Sequence, residues 1–475
     1  MKIRNVLKWG LAACLCAVGV LSLQAQNITK PKIACPNGLW VNSYNGVLFF
    51  TRIDAEMKNT VLPISLQFYY NSSYKDRNYG YGLGFSMGEE MRYALSLSGD
   101  SVTIERGDGR SDLYLKKDQG YEAPTGVFDR LTQQGEGQFV LTMKDGTIYR
   151  FENAKHKRVT KIENRSGLVT TLQYQPDGLL TGVSDNAGRS LALTYTDGLL
   201  TKATGSFIQG EISYQYDSRK RLTKVTDPMG YTRFYGYDKQ DQLTSVTDPM
   251  GNVTEIGYTQ QGAVYRVKTA VSDKVIRYEV ANKRTVIVDY TEPAAQFSYY
   301  VWDDKGRVIE KSGLCCGIQE KLVYDEDDNV TQRTDANGNI RTYTYDSNGN
   351  MLTATDPEGH TETYTYELAF NQVASYRDKN GNDYSFSYDD SGNLTEISGP
   401  EGFTNRYTYN AMGAPLTITD ANGNVTQNEY DHRGLQISQT DAMGNIRKFA
   451  YDGSGNLISS TDARLFVTRY TYNRR

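Results

Sequence analysis

The chain has 475 residues, 52 basic against 56 acidic, with 38% apolar side chains, 37 tyrosines and 44 glycines beside three tryptophans and three histidines. Removing the leader's Lys2, Arg4 and Lys8 takes the formal charge from −4 to −7, and no Lys/Arg cluster stands against it, so there is no electrostatic reason to expect a nucleic-acid partner. Tyrosine and glycine at this level suit strands and turns.

The first residues pass from a basic start through an apolar stretch, Trp9 to Leu23, to small and polar residues around Ala25. This is the layout of a secretory signal peptide over 1–25, with cleavage expected after Ala25, and the apolar run is too short to favour a membrane span. A lipoprotein reading would acylate Cys14, but the apolar run continues nine residues past it. The expectation is an exported chain, in the periplasm, at the cell surface or outside the cell, with no transmembrane segment once the leader is removed. Cys35, Cys315 and Cys316 then remain, an odd count that makes no disulfide framework. Adjacent Cys315 and Cys316 cannot pair with each other without strain, either could reach Cys35, and the spacing fits no zinc motif, so buried thiols are expected.

Residues 26–40 read as an N-terminal extension and 41–155 as a β-rich domain, in which Asp108-Gly109 and Asp145-Gly146 are hairpin turns. From 156 to 475 the sequence repeats itself, degenerately over 268–313. Anchors at Asp227, Asp248, Asp335, Asp356, Asp378, Gly399, Asp420, Asp441 and Asp462 are separated by 21 or 22 residues, except across the degenerate stretch. At that period about fifteen units fit between Asn164 and the last residue.

Counting from each anchor, position +10 is a tyrosine: Tyr174, Tyr195, Tyr216, Tyr237, Tyr258, Tyr324, Tyr345, Tyr366, Tyr388, Tyr409, Tyr430, Tyr451 and Tyr472. Position +8 is large and apolar in nearly every unit, as in Tyr214, Tyr235, Ile256, Tyr343, Tyr364 and Phe386, with Asn428 the exception. Two residues apart is the strand period, so both side chains leave one face of an extended segment. A second apolar pair, such as Leu222 and Val225, is spaced by three, which predicts an irregular or bulged second strand.

Two five-residue connectors join the strands, exemplified by Asp335 to Asn339 with Gly338, and Asp346 to Asn350 with Gly349. The leading Asp can accept the backbone N–H two residues on, while Gly and the Asn after it tolerate positive φ. Each unit is strand, turn, strand, turn, with no helical period after the leader. About thirty strands at about 4.8 Å would make a sheet on the order of 140 Å long, which strand twist must coil. Stacked tyrosines would supply its packing.

The stretches "YDSNGNMLTATD", "YDDSGNLTEIS" and "YDGSGNLISSTD" resemble the YD repeats of the RHS (rearrangement hotspot) family, which includes bacterial polymorphic toxins, the B and C components of insecticidal toxin complexes, and the teneurins of animals. Ahead of them "LPISLQFYYNSSY", "GYGLGF" and "ERGDGRSDLYL" are similar to the β-rich domain that precedes such arrays, with Gly82 and Gly84 at its glycine-aromatic turn. The resemblance implies an all-β fold: a strip of sheet wound into a hollow shell that in complete members encloses a toxin or other cargo. It also implies a core segment after the array, in some members self-cleaving through paired aspartates. No such core or dyad is visible up to Arg475, so the chain is expected to be the N-terminal part of a shell, partnered by a toxin cargo or a separately encoded C-terminal part.

Catalytic signals are absent from the sequence. His156, His360 and His432 fall in or beside turns, away from any serine or cysteine elbow motif. Carboxylates recur at turn positions, where capping the backbone already explains them, and Asp325 to Asp328 lack the glycine and terminal Glu of a calcium loop. No cofactor or metal is expected. The tyrosine rows read as packing; a glycan or cell-surface partner would fall instead on irregular aromatics such as Tyr299, Tyr300 and Trp302. The leading expectation is a non-enzymatic exported scaffold of a toxin-delivery or surface-display protein, with a surface adhesin and a non-functional truncated fragment as alternatives.

Overall fold

A computed structural model describes residues 32–35, 38–57, 64–88, 90–96, 99–118, 120–291, 295–313 and 319–472. The leader with Cys14 and Cys16, and the pair Cys315 and Cys316, lie outside the described residues. Among the described residues the fold is all-β, and no helix is long and apolar enough to cross a membrane.

Three antiparallel sheets follow one another. The first has five strands, β1 (Lys32–Ala34), β2 (Leu39–Asn42), β3 (Leu48–Glu56), β4 (Ser65–Asn71) and β5 (Phe85–Met87). The second has four, β6 (Arg92–Leu95), β7 (Ser101–Glu105), β8 (Ser111–Lys117) and β9 (Gly120–Glu122). The third is a ladder of 33 strands in chain order, from β10 (Arg130–Gly135) to β42 (Val467–Arg469). It begins before the first legible repeat and runs unbroken through the degenerate stretch, where Asp273–Glu279, Arg284–Asp289, Gln296–Trp302 and Val308–Gly313 pair in sequence.

The bulge expected from the three-residue spacing is present. Thr344 pairs with Thr353 and Tyr345 with Met351, which leaves Leu352 as the extra residue. Gln215 with Lys224 and Tyr216 with Leu222 leave Thr223 in the same way. That extra residue turns both members of the apolar pair toward one side, so Leu222 lies opposite Tyr216 and Val225 opposite Tyr214. One face of the strip therefore carries the +8 and +10 aromatics together with both apolar residues of the following strand.

The strip meets itself. Ser454 Oγ donates to the Phe207 carbonyl at 2.8 Å and Asn371 Nδ2 to the Lys144 carbonyl at 3.3 Å, across separations of 247 and 227 residues. Gly349 lies against the Phe128 ring, Gly146 against Phe370, and Gly413 against Ser166. In each case a connector that follows a +10 tyrosine touches a turn or loop one winding earlier. About eleven repeats, or about twenty-two strands at about 4.8 Å, close one turn, giving a circumference of about 105 Å and a radius of about 17 Å. Burial records this seam: Asn350, in a connector that follows a tyrosine, is buried, whereas Asn339, in the connector at the other end of its strand, is exposed.

Candidate functional site

The tyrosine face is the surface the sequence singles out, and its chemistry starts at the connectors. In Asp346 to Asn350 the carboxylate accepts the N–H of Asn348 at 2.9 Å and of Asn350 at 2.8 Å, and its second oxygen accepts Asn350 Nδ2 at 2.9 Å. The same three bonds recur from Asn337 and Asn339 to Asp335. Gly338 (φ 84°) and Gly349 (φ 64°) hold the left-handed position expected of them. The expectation for the Asn that follows is corrected: Asn339 and Asn350 are not at positive φ, and Asn is used because its amide reaches back to the Asp carboxylate. Those bonds, the Asn side chain first and backbone N–H groups after it, hold the Asp335, Asp420 and Asp441 carboxyls below the ordinary carboxylate value.

Beyond each connector, the +10 tyrosine ties its unit to the one before. Tyr345 donates to the Val330 carbonyl at 2.8 Å, and the matching bonds run from Tyr237 to Leu222, Tyr258 to Leu243, Tyr366 to Met351, Tyr388 to Val373, Tyr409 to Leu394, Tyr430 to Pro415, Tyr451 to Gln436 and Tyr472 to Leu457. The acceptor is in each case the first carbonyl of a bulged strand. Desolvation raises the phenols of Tyr237, Tyr258, Tyr345, Tyr366, Tyr430 and Tyr451, and it raises Tyr409 and, with the same bond to Val308, Tyr324 to about 12.

Tyr216 departs from the pattern, as Tyr195 does: its buried hydroxyl has no hydrogen-bond partner among the described residues. The strand before it starts from a two-residue turn, Asp197-Gly198, with both residues at positive φ, so the usual strand-start carbonyl is not presented there. Conversely Tyr278, missed because its spacing slips by one, donates to the Val264 carbonyl at 2.8 Å over 14 residues. Asn428, the +8 exception, is buried and bonded at both ends of its amide, donating to the Pro415 carbonyl and accepting from Gln436 and Gln439.

The first winding is covered on this face. Tyr70 accepts the Leu243 N–H, Gly46 the Val264 N–H and Gly80 the Leu200 N–H; Ser43 accepts from Thr285, and Tyr44 meets Trp302 edge to face at 5.5 Å. A sheet of five short strands, about 20 Å across, touches strands spread over nearly half of the circle, which places it on the concave side. At its centre the buried Arg52 guanidinium lies 5.7 Å and 5.8 Å from the rings of Tyr214 and Tyr235 and 4.5 Å from Phe68. Asp54 sits 2.8 Å from Arg52 and accepts the Tyr214 phenol at 2.9 Å. Trp302 is thereby buried and Tyr300 packs against the core, which corrects the expectation of exposed aromatics for those two; Tyr299, on the other face of the strand, is half-buried and donates to Glu310.

The second winding carries the same face without that cover. At +8, Tyr343, Phe386, Tyr407 and Phe449 are half-buried and Tyr364 is buried, whereas Tyr214 and Tyr235 are buried; at +10 the tyrosines are half-buried in both windings, Tyr216, Tyr237 and Tyr258 as much as Tyr345, Tyr366 and Tyr388. The +8 and +10 side chains were expected to share a buried face; they share the face, and the covering sheet buries the +8 residues Tyr214 and Tyr235 while most of their second-winding counterparts are half-buried.

No catalytic pairing of histidine with serine or cysteine appears among the described residues. His360 Nδ1 lies 3.2 Å from the half-buried Asp356, whose other oxygen caps its own turn, and the exposed Glu358 completes a trio within 4.8 Å. Asp325 accepts from Asn329, and Asp328 is held by Arg307, so the acidic run is used in turns and ion pairs.

A family model described as "RHS Repeat" matches residues 216–253, 324–361, 388–425 and 430–465, and one described as "Domain of unknown function (DUF6531)" matches 38–114. No curated protein matches the chain. Among solved structures it is similar to a crystal structure of TcdB2-TccC3-TEV, 11% identical with a TM-score of 0.49, over 95% of this chain and 29% of that one. A crystal structure of TcdB2-TccC3 is 13% identical with a TM-score of 0.44, over 89% and 28%. A Tc holotoxin pore of Photorhabdus luminescens is 12% identical with a TM-score of 0.43, over 91% and 26%. The chain thus spans less than a third of the length of these structures. Four matches to the repeat model, falling on units whose bulge, capped connectors and tyrosine bond recur down the ladder, show that the chain belongs to the RHS-repeat family, with a DUF6531 domain ahead of its array.

Proposed function

We propose that the chain is a non-enzymatic, exported scaffold, part of a shell whose tyrosine face encloses a polypeptide cargo in a toxin-delivery or surface-display protein. The observation that carries this reading is the contrast between the two windings. In the first, the concave face is filled by the chain's own N-terminal sheet, which buries the +8 residues Tyr214 and Tyr235; in the second, the +8 aromatics Tyr343, Phe386, Tyr407 and Phe449 curve round the same axis and are left half-buried. A concave wall of aromatics carrying phenol groups suits the irregular surface of a polypeptide, which offers both apolar and polar groups. The connectors and ion pairs at the strand ends are engaged in turns and the seam, which leaves the wall as the part free to act.

A photoreactive phenylalanine analogue at Phe386, on the concave face, and at Val253, on the opposite face, tests this in producing cells. The scaffold reading expects Phe386 to capture a polypeptide protected from added protease, and Val253 to capture none. Equal capture at both positions, or none at Phe386, would overturn it. Export is tested separately, by finding the mature N-terminus at Gln26.

A further inference from the structure

One row on the open wall departs from the repeat. In the first winding the residues directly opposite one another on this face run Tyr214, Val225, Arg233 and Tyr235, Val246, Thr254. At the same place in the second winding the row is Tyr364, Tyr376, Tyr384. Their rings stack nearly parallel, with centroids 5.0 Å and 5.7 Å apart and planes 28° and 25° apart, whereas pairs such as Tyr44 with Trp302, Phe50 with Tyr235, Phe68 with Tyr81 and Tyr93 with Phe139 are tilted or edge to face. Packing of the repeat does not require this, since valine serves at the middle position elsewhere. Tyr376 and Tyr384 are half-buried and so leave ring surface open.

A carboxylate stands beside the ladder. Glu362 accepts the Tyr376 phenol at 2.9 Å and the Tyr364 phenol at 3.3 Å, one on each oxygen, and makes no ion pair among the described residues. The first winding shows what such a grouping takes. There Asp54 accepts the Tyr214 phenol, and the same carboxylate holds Arg52, whose guanidinium lies over the Tyr214 and Tyr235 rings. Tyr364 occupies the same +8 position as Tyr214 and Tyr235, and Glu362 stands in the role of Asp54. Guanidinium is the cation best matched to this pairing, because its plane stacks on rings while its edge bonds a carboxylate.

We propose that Tyr364, Tyr376, Tyr384 and Glu362 form a receptor for an arginine side chain of a polypeptide lying against the concave face. This rests on the enclosure reading for its occupant, while the site itself stands on the ladder and its carboxylate. Arg52 seats the chain's own N-terminal sheet in the first winding, and the ladder seats a cargo arginine in the second.

The test uses the full chain with isotope-labelled tyrosines, assigned through Tyr376→Phe and Tyr384→Phe, and N-acetylarginine amide as the probe. Saturable shifts of the ladder resonances are expected, at least about fivefold weaker with N-acetylcitrulline amide, which keeps the shape and loses the charge, and about tenfold weaker in Glu362→Gln. Glu396→Gln, on the opposite face, should leave binding unchanged. An unaltered ring-stacking pattern in unliganded Glu362→Gln shows that the ladder has kept its fold. Shifts that do not saturate, or that are the same for citrulline or for Glu362→Gln, would overturn the proposal. Capture of a cargo at Phe386 without arginine binding would sink the receptor and leave the shell; arginine binding without capture would do the reverse.

Discussion

Tyr345 donates its phenol to the carbonyl of Val330, 2.8 Å away and fifteen residues earlier, across the boundary between two repeats. The bond binds each unit to its predecessor and satisfies the carbonyl left at the start of a bulged strand. Tyr345→Phe keeps the ring and removes the bond, so it should cost about 1 kcal/mol. Tyr345→Ser also removes a half-buried ring and should cost about 2–3 kcal/mol. Arg341→Ala, at an exposed position, should stay within about 0.5 kcal/mol. Amide exchange across Ile340–Thr355 reads all three, and equal effects would show that the bond and the ring do not hold the units together.

Gly338 and Gly349 hold the same left-handed turn in two different settings. A methyl group at Gly338 meets open space, whereas one at Gly349 strikes the Phe128 ring of the preceding winding. Gly338→Ala should therefore cost about 1 kcal/mol, from backbone strain alone. Gly349→Ala should cost at least about 2 kcal/mol and raise amide exchange at Val127–Asp129. Equal costs would place Gly349 away from any seam.

Acid should loosen the connectors. The folded Asp335, Asp420 and Asp441 carboxyls lie below their ordinary value, so the unfolded chain binds protons first as pH falls. Their contribution is complete above about pH 5 and is lost as pH falls from about 4 through the lowered folded values. Asn339→Ala removes the leading cause at Asp335, so that carboxyl should titrate closer to an ordinary aspartate. A carboxyl-carbon NMR titration decides it; an unchanged midpoint in Asn339→Ala would show that the side-chain bond does not form.

Lys144 lies at the seam, its Nζ 5.0 Å from the Phe128 ring and without a hydrogen-bond partner, and burial lowers its pKa to about 8, against the opposing pull of Asp346 and Asp129. Between pH 8 and the ordinary lysine value the unfolded chain holds a proton that the folded chain has released, so stability should rise with pH across that window. Below about pH 8 the folded chain carries the buried charge at full cost, and Lys144→Met should stabilise the seam there. Thermal unfolding of both proteins at pH 7 and pH 10 tests this: the gain from Lys144→Met should shrink at the higher pH, and a constant gain would contradict the assignment.

What was legible in the sequence is what one unit decides for itself. The spacing of Leu222 and Val225 announced the bulge, and Asp346 and Gly349 announced the turn, because each depends on neighbours a few residues away. The reach of Asn350 back to Asp346 was hidden behind a second property of Asn, its tolerance of positive φ. The seam was not legible, because it depends on twist accumulated over about eleven repeats and on residues that do not recur, such as Phe128, Phe370 and Ser166. Cover by the N-terminal sheet was invisible for a related reason: Tyr235 and Tyr343 occupy the same repeat position, and only a partner more than a hundred residues away distinguishes them.

Winding is the claim on which the enclosure rests, and the separation of Gln209 from Gly453 tests it most directly. Spin labels at Gln209→Cys and Gly453→Cys, in a chain whose native cysteines are replaced by serine, should give a single dipolar distance under about 25 Å, because the seam brings the two connectors together. An uncoiled ladder would hold them about 100 Å apart, eleven repeats along a flat sheet, and would give no dipolar signal. The account predicts the short distance; its absence in a folded, all-β chain would contradict the wound strip and the wall it forms.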